Sequence, residues 1–146
     1  MTRRFTHSEA ESLLPEVERL IREAVRQKQV YETASEAISD LTERAAQYGG
    51  ILVDRGVAIE NRAARDRSGE RLKAVLQEIQ QVGCVVKDLD VGLIDFPTLY
   101  HGSEVYLCWK VGEPSIRFWH GVDESFAGRK PIDDEFLRNH KGELEQ

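Results

Sequence analysis

The stretch Gly83-Cys84-Val85-Val86-Lys87-Asp88-Leu89-Asp90-Val91-Gly92-Leu93-Ile94-Asp95-Phe96-Pro97 decides the fold. Before it, apolar residues recur every three or four positions, the spacing of an amphipathic helix. Within it the pattern changes to short apolar runs around a turn signal, Asp90-Val91-Gly92, the mark of a hairpin. Helices first and strands afterwards predict an α+β class with an antiparallel sheet.

Upstream, Leu20, Ala24, Tyr31, Ala34, Ile38, Leu41, Ala45 and Tyr48 form a narrow heptad-like seam, with one polar slot at Gln27. The seam predicts a helix over 15–48, stopped by Gly49-Gly50. Thr6-His7-Ser8-Glu9 reads as a capping box that opens a short helix to Leu14, and Pro15 kinks the helix or restarts it. Ile51-Leu52-Val53 is an apolar turn. A second helix is expected over 57–82, with Leu72, Val75, Leu76, Ile79 and Val82 as its apolar face and a break or fray at Ser68-Gly69. Arg62, Arg65, Arg67 and Arg71 alternate with Glu60, Asp66 and Glu70, the pattern of a solvated, salt-bridged face.

Downstream, strands are expected at 85–89, 93–96, 105–111 and 116–120. Pro97 is expected to end the second. The organisation predicted is a single domain: a long antiparallel helical hairpin over 7–82, a β-rich part of about four strands over 83–137, and a polar tail over 138–146.

The chain's 146 residues can bury one core, and its apolar and charged fractions of 40% and 32% are those of globular proteins. Net charge is −6, which argues against nucleic acid as a partner. The charge is uneven: residues 1–82 hold thirteen basic and fourteen acidic side chains, and residues 83–146 hold seven and twelve. No apolar run approaches a membrane span and no secretory leader is evident, so a soluble, cytoplasmic protein is expected. The two cysteines, Cys84 and Cys108, lack C-x-x-C spacing and sit among apolar neighbours, so both read as packing residues.

The string Val86 to Pro97 resembles a bacterial family known as domain of unknown function 2203. Val105-Tyr106-Leu107-Cys108-Trp109-Lys110, Gly112-Glu113, Trp119-His120 and Gly128-Arg129 continue the resemblance, and Leu13-Leu14-Pro15 resembles its N-terminal helix motif. The resemblance covers most of the chain. It implies no activity and assigns no catalytic role.

Five residues are candidates for ligand binding: Asp88, Asp90, Asp95, His120 and Arg129. Strand register decides which of them meet. Closing the second hairpin with Val111 opposite Ile116 sets Leu107 against His120 and puts Cys108 on the opposite face, which speaks against a Cys-His nucleophile. His120 then ends an apolar face, either as a buried histidine bonded to a carbonyl or an aspartate, or as a ligand or general base. In the first hairpin, a three-residue loop pairs Lys87 with Asp95, and a two-residue loop pairs Asp88 with Asp95. The glycine at position 92 favours the longer loop.

Asp88, Asp90 and His120 could together hold a divalent metal, although no cofactor is required by any motif. Arg129 reads as a clamp onto Asp90 or Asp95, or as an anion site with Lys130 nearby. The functional expectation is a non-catalytic binding or assembly module that self-associates, as a homo-oligomer or dimer or with a protein partner, through its long helices. The alternative is a small metal- or anion-binding module or enzyme at the five polar residues.

Overall fold

The computed structural model describes residues 3–47 and 55–142. The element order is α1 (His7–Gln47), α2 (Arg55–Val82), β1 (Val85–Asp88), β2 (Leu93–Tyr100), β3 (Ser103–Lys110), β4 (Phe118–Gly121), β5 (Lys130–Pro131), α3 (Asp134–Asn139) and β6 (His140–Lys141). This is an α+β chain with two long helices followed by an antiparallel sheet. Tyr48, Gly49-Gly50 and Ile51-Leu52-Val53 lie outside the described residues, as do positions 143–146 of the tail.

The chain divides into two compact units. One comprises the N-terminal stretch to Arg22 and the chain from Gln77 onward; the other is Glu23–Leu76.

In the first unit, α1 starts at the expected cap. The Glu9 amide donates to Thr6 Oγ1 at 3.1 Å, and the same hydroxyl donates to Glu9 Oε1 at 3.1 Å. Glu9 thus returns to the Thr6 hydroxyl, where a full capping box would use the backbone amide. Pro15 does not end the helix, which continues to Gln47. Its ring lies at an exposed position, and the cooperative ladder on either side outweighs one missing bond. Val17, Leu20 and Ile21 of α1 and Ile79 of α2 are buried with Phe5, and Phe5 meets Phe96 edge-to-face with ring centroids 5.4 Å apart.

The sheet has six strands, two more than the pattern of long apolar runs suggests. The order is β1-β2-β3-β4-β5, with β6 pairing β2. The two additional strands are only two residues each, too short to produce a periodic signal. Positions 138–142 are therefore a structured end and not a bare tail: Asp133 caps α3 by accepting from the Phe136 amide at 2.8 Å, and β6 follows.

Pro97 does not end β2, which runs on to Tyr100. Its carbonyl accepts from the Phe5 amide at 2.7 Å. In an antiparallel strand the N and C=O of one residue face the same side. The missing amide of Pro97 therefore faces the gap between β1, which pairs as far as Asp95, and β6, which begins pairing at Leu99. No ladder bond is lost there.

Both hairpins depart from the expected registers. In the second, Tyr106 pairs with His120 and Cys108 with Phe118, one residue away from the pairing of Leu107 with His120. The cause is long-range. The Ile116 amide donates to Glu11 Oε1 at 2.8 Å, and the Ile116 carbonyl is bound by His7 Nε2 at 2.8 Å. Helix α1 takes both backbone groups that would have closed the turn on Val111, so β4 starts only at Phe118.

In the first hairpin, Val85 pairs with Asp95 and Asp88 with Leu93, with a bulge between Val86 and Asp88. Neither expected register is seen. The loop is longer still, and Gly92 adopts φ 70°. There its carbonyl accepts from the Val111 amide at 2.9 Å.

In the second unit, Glu23 ties the two helices. It accepts from Arg71 at 3.2 Å, and the hydrogen bonds from Arg26 and then Arg71 hold its carboxyl down at about 2. Helix α2 neither breaks nor frays at Ser68-Gly69. Ser68 is buried, and a Cβ at Gly69 would come within 3.3 Å of the Tyr31 ring. The glycine is used for a close approach of an aromatic ring to α2.

Candidate functional site

The pairing that fixes the sheet also fixes its polar cluster. Asp95 is the cross-strand partner of Cys108, and Tyr106, two residues from Cys108, is the partner of His120. Side chains alternate along a strand, so Asp95, Cys108 and His120 emerge on one face. The opposite face carries Ile94, Phe96, Leu107 and Trp109, all buried. The expectation that Cys108 and His120 lie on opposite faces is thus reversed, by the one-residue register difference alone.

His120 Nε2 lies 2.9 Å from Asp95 Oδ1, and its Nδ1 lies 2.8 Å from the Gly121 carbonyl. A carbonyl only accepts, so Nδ1 carries a hydrogen. Both structural roles considered for this histidine, carbonyl and aspartate partner, are present at once. His120 is 1% exposed and Asp95 4%, so the pair is sealed from solvent. Lys87 Nζ reaches to 4.0 Å from Asp95 Oδ2 and also donates to the Glu124 carbonyl at 3.3 Å. The Lys87–Asp95 pairing forms although neither expected register does, because the bulge lets Lys87 lean across.

Burial pushes the Cys108 thiol up to about 11, with the Asp95 charge adding to the effect and the Arg129 guanidinium opposing it. Burial likewise raises Cys84 to about 11. Asp95, Cys108 and His120 each offer a ligand atom within 4.8 Å of the others.

Asp88 and Asp90 stand apart from this cluster. Both are exposed, and Asp88 Oδ1 accepts from the Asp90 amide at 2.9 Å. That is an Asx turn, which shapes the β1–β2 loop. Among the described residues, the group with metal-ligand geometry contains His120 and Asp95 but neither Asp88 nor Asp90.

Arg129 clamps neither Asp90 nor Asp95. Its Nη1 donates to Glu113 Oε1 at 3.0 Å. Its guanidinium lies 4.1 Å from the ring centroids of both Phe118 and Phe126. The planar cation is held by π-faces and one carboxylate, the arrangement for which arginine is suited. Glu113 in turn accepts from the Lys110 amide at 2.7 Å. Arg129 therefore fixes the Gly112–Glu113 turn.

Cys108 and Glu113 were not candidates from sequence. Cys108 looked like a packing residue because its neighbours are apolar, and the correct register was the only signal that could have added it.

Among the described residues no helix is long and apolar enough to cross a membrane. Comparison with curated proteins and with solved structures yields no match. The family model for "Uncharacterized conserved protein (DUF2203)" matches residues 3–132, which include α1, α2, the Asp95–Cys108–His120 cluster and the Arg129 clamp. The chain belongs to the DUF2203 family.

Proposed function

We propose that this protein is a non-catalytic assembly module of the cytoplasm that forms a dimer through the helix pair of the Glu23–Leu76 unit. The observation that carries this is an apolar cleft of about 500 Å³ between Ile38, Leu41 and Ala45 of α1 and Ala58 and Ile59 of α2. Ile59 is 65% exposed, and the seam residues Ile38, Leu41 and Ala45 are only half-buried. Two helices cover one side of such a seam; a four-helix arrangement covers both.

Charge favours a second copy as the occupant. Within this unit α1 carries five acidic and three basic side chains, and α2, although Glu60, Asp66 and Glu70 alternate with its arginines, carries six basic and three acidic. A two-fold arrangement lays each acidic α1 beside the partner's basic α2. The α1 segment is about 37 Å long at 1.5 Å per residue.

The buried polar cluster supports the non-catalytic part of the reading. His120, Asp95 and Arg129 are bonded to protein groups, and Cys108 is fully buried. The free thiols of Cys84 and Cys108 agree with a reducing compartment.

Sedimentation equilibrium tests the proposal. The wild-type chain is expected to sediment as two copies, and Ile38→Glu with Ile59→Glu as one, with unchanged helical circular dichroism. Identical masses for the two proteins would overturn it.

A further inference from the structure

We infer that Asp95, Cys108 and His120 form a three-ligand zinc site that pins strands β2, β3 and β4 together. The three side chains supply the O, S and N donors that a borderline-soft divalent ion takes. All three come from neighbouring strands of one sheet face, and their ligand atoms already lie within 4.8 Å of one another. Tetrahedral zinc with bonds of about 2.0–2.3 Å sets its ligands roughly 3.3–3.8 Å apart. The His120–Asp95 contact of 2.9 Å therefore opens by a few tenths of an ångström, and the sulfur closes in.

The surroundings favour a ligand set over an ordinary buried ion pair. Metal-bound histidines nearly always donate their second ring nitrogen to a carbonyl or carboxylate, which aims the other nitrogen's lone pair at the ion. His120 does this through Nδ1 and the Gly121 carbonyl, leaving Nε2 to face Asp95 Oδ1. Ligating carboxylates are held at their outer oxygen, and Lys87 approaches Asp95 Oδ2 while Oδ1 faces the cluster. The histidine and the carboxylate thus each have an outer partner.

Binding displaces the thiol hydrogen and the hydrogen shared between His120 and Asp95, so no donor proton remains in the way of the ion. Three protein donors leave the fourth tetrahedral position to a water that the ion brings with it. None of its residues lines the cleft between Ile38 and Ile59, and its test is independent of self-association.

Untagged protein titrated with zinc, desalted and analysed for metal is expected to retain about one zinc per chain. Substitution with Co(II) is expected to give the intense visible bands of a tetrahedral ion and a near-ultraviolet thiolate charge-transfer band. Cys84→Ser should keep both signals. Cys108→Ser should lose the charge-transfer band and most of the retained metal. The Co(II) spectrum of the wild-type chain decides the matter even if a variant fails to fold. No metal retained after desalting, a six-coordinate spectrum without thiolate absorption, or a band lost in Cys84→Ser and kept in Cys108→Ser would overturn the site.

Discussion

His120 and Asp95 face each other at 2.9 Å inside the sheet, and neither is reachable by solvent. Burying two ionisable groups is costly, and the cost is offset only while both are present. Either His120→Leu or Asp95→Leu alone is expected to lower stability by about 3–5 kcal/mol, because each leaves a lone buried polar partner. The double replacement should cost less than the two singles combined by more than about 1 kcal/mol. Urea denaturation of the metal-free wild type, the singles and the double provides the cycle, and additive losses would contradict the pairing.

The thiols of Cys84 and Cys108, both raised to about 11 chiefly by burial, should be inert at neutral pH, since the thiolate is the reactive form. A thiol reagent at pH 7.5 is expected to titrate neither cysteine in the folded chain and both after denaturation. Rapid modification of Cys108 in the native state would show that the cluster is open to solvent.

Gly92 is held at φ 70°, and a Cβ there would approach Val111 Cγ2 to 2.5 Å. Gly92→Ala combines left-handed strain with this clash, and an unfolding cost of at least about 1–3 kcal/mol is expected. Adding Val111→Ala should recover part of the loss, the remainder being backbone strain. A neutral Gly92→Ala would mean that the β1–β2 loop has another conformation.

The Tyr100 phenol donates to Glu135, a bond that raises the phenol to about 12 and lowers the carboxyl. The signs follow from which form the fold prefers. The raised phenol contributes stability below its unfolded value near 10, lost as pH climbs toward about 12. The lowered carboxyl contributes above its unfolded value, lost as pH falls through its folded one. Burial also raises Tyr106, so tyrosinate absorbance should show both titrating late, and Glu135→Gln should bring only Tyr100 earlier. An unchanged late titration in Glu135→Gln would remove this bond from the account.

The sequence made the class of fold legible because the period changes sharply at Gly83, and the caps and seam placed both helices well. Register was not legible. The groups that shift β4 by one residue are Glu11 and His7, more than a hundred positions away, and no local turn rule contains them. That shift also hid one of the three members of the polar cluster. Asp95 and His120 were candidates for their residue types, but Cys108 joins them only once Tyr106 is opposite His120. Arg129 was found as a clamp but with the wrong carboxylate, since Glu113 lies in a turn whose orientation depends on the same register. The short strands Lys130–Pro131 and His140–Lys141 are imposed by tertiary contact and leave no periodic trace.

The helix pair carries the functional account, and the mass of the chain in solution tests it most directly. Light scattering on the intact protein across the micromolar range is expected to give twice the 16.6 kDa chain mass. A constant 16.6 kDa over that range would contradict self-association through the Ile38–Ile59 cleft.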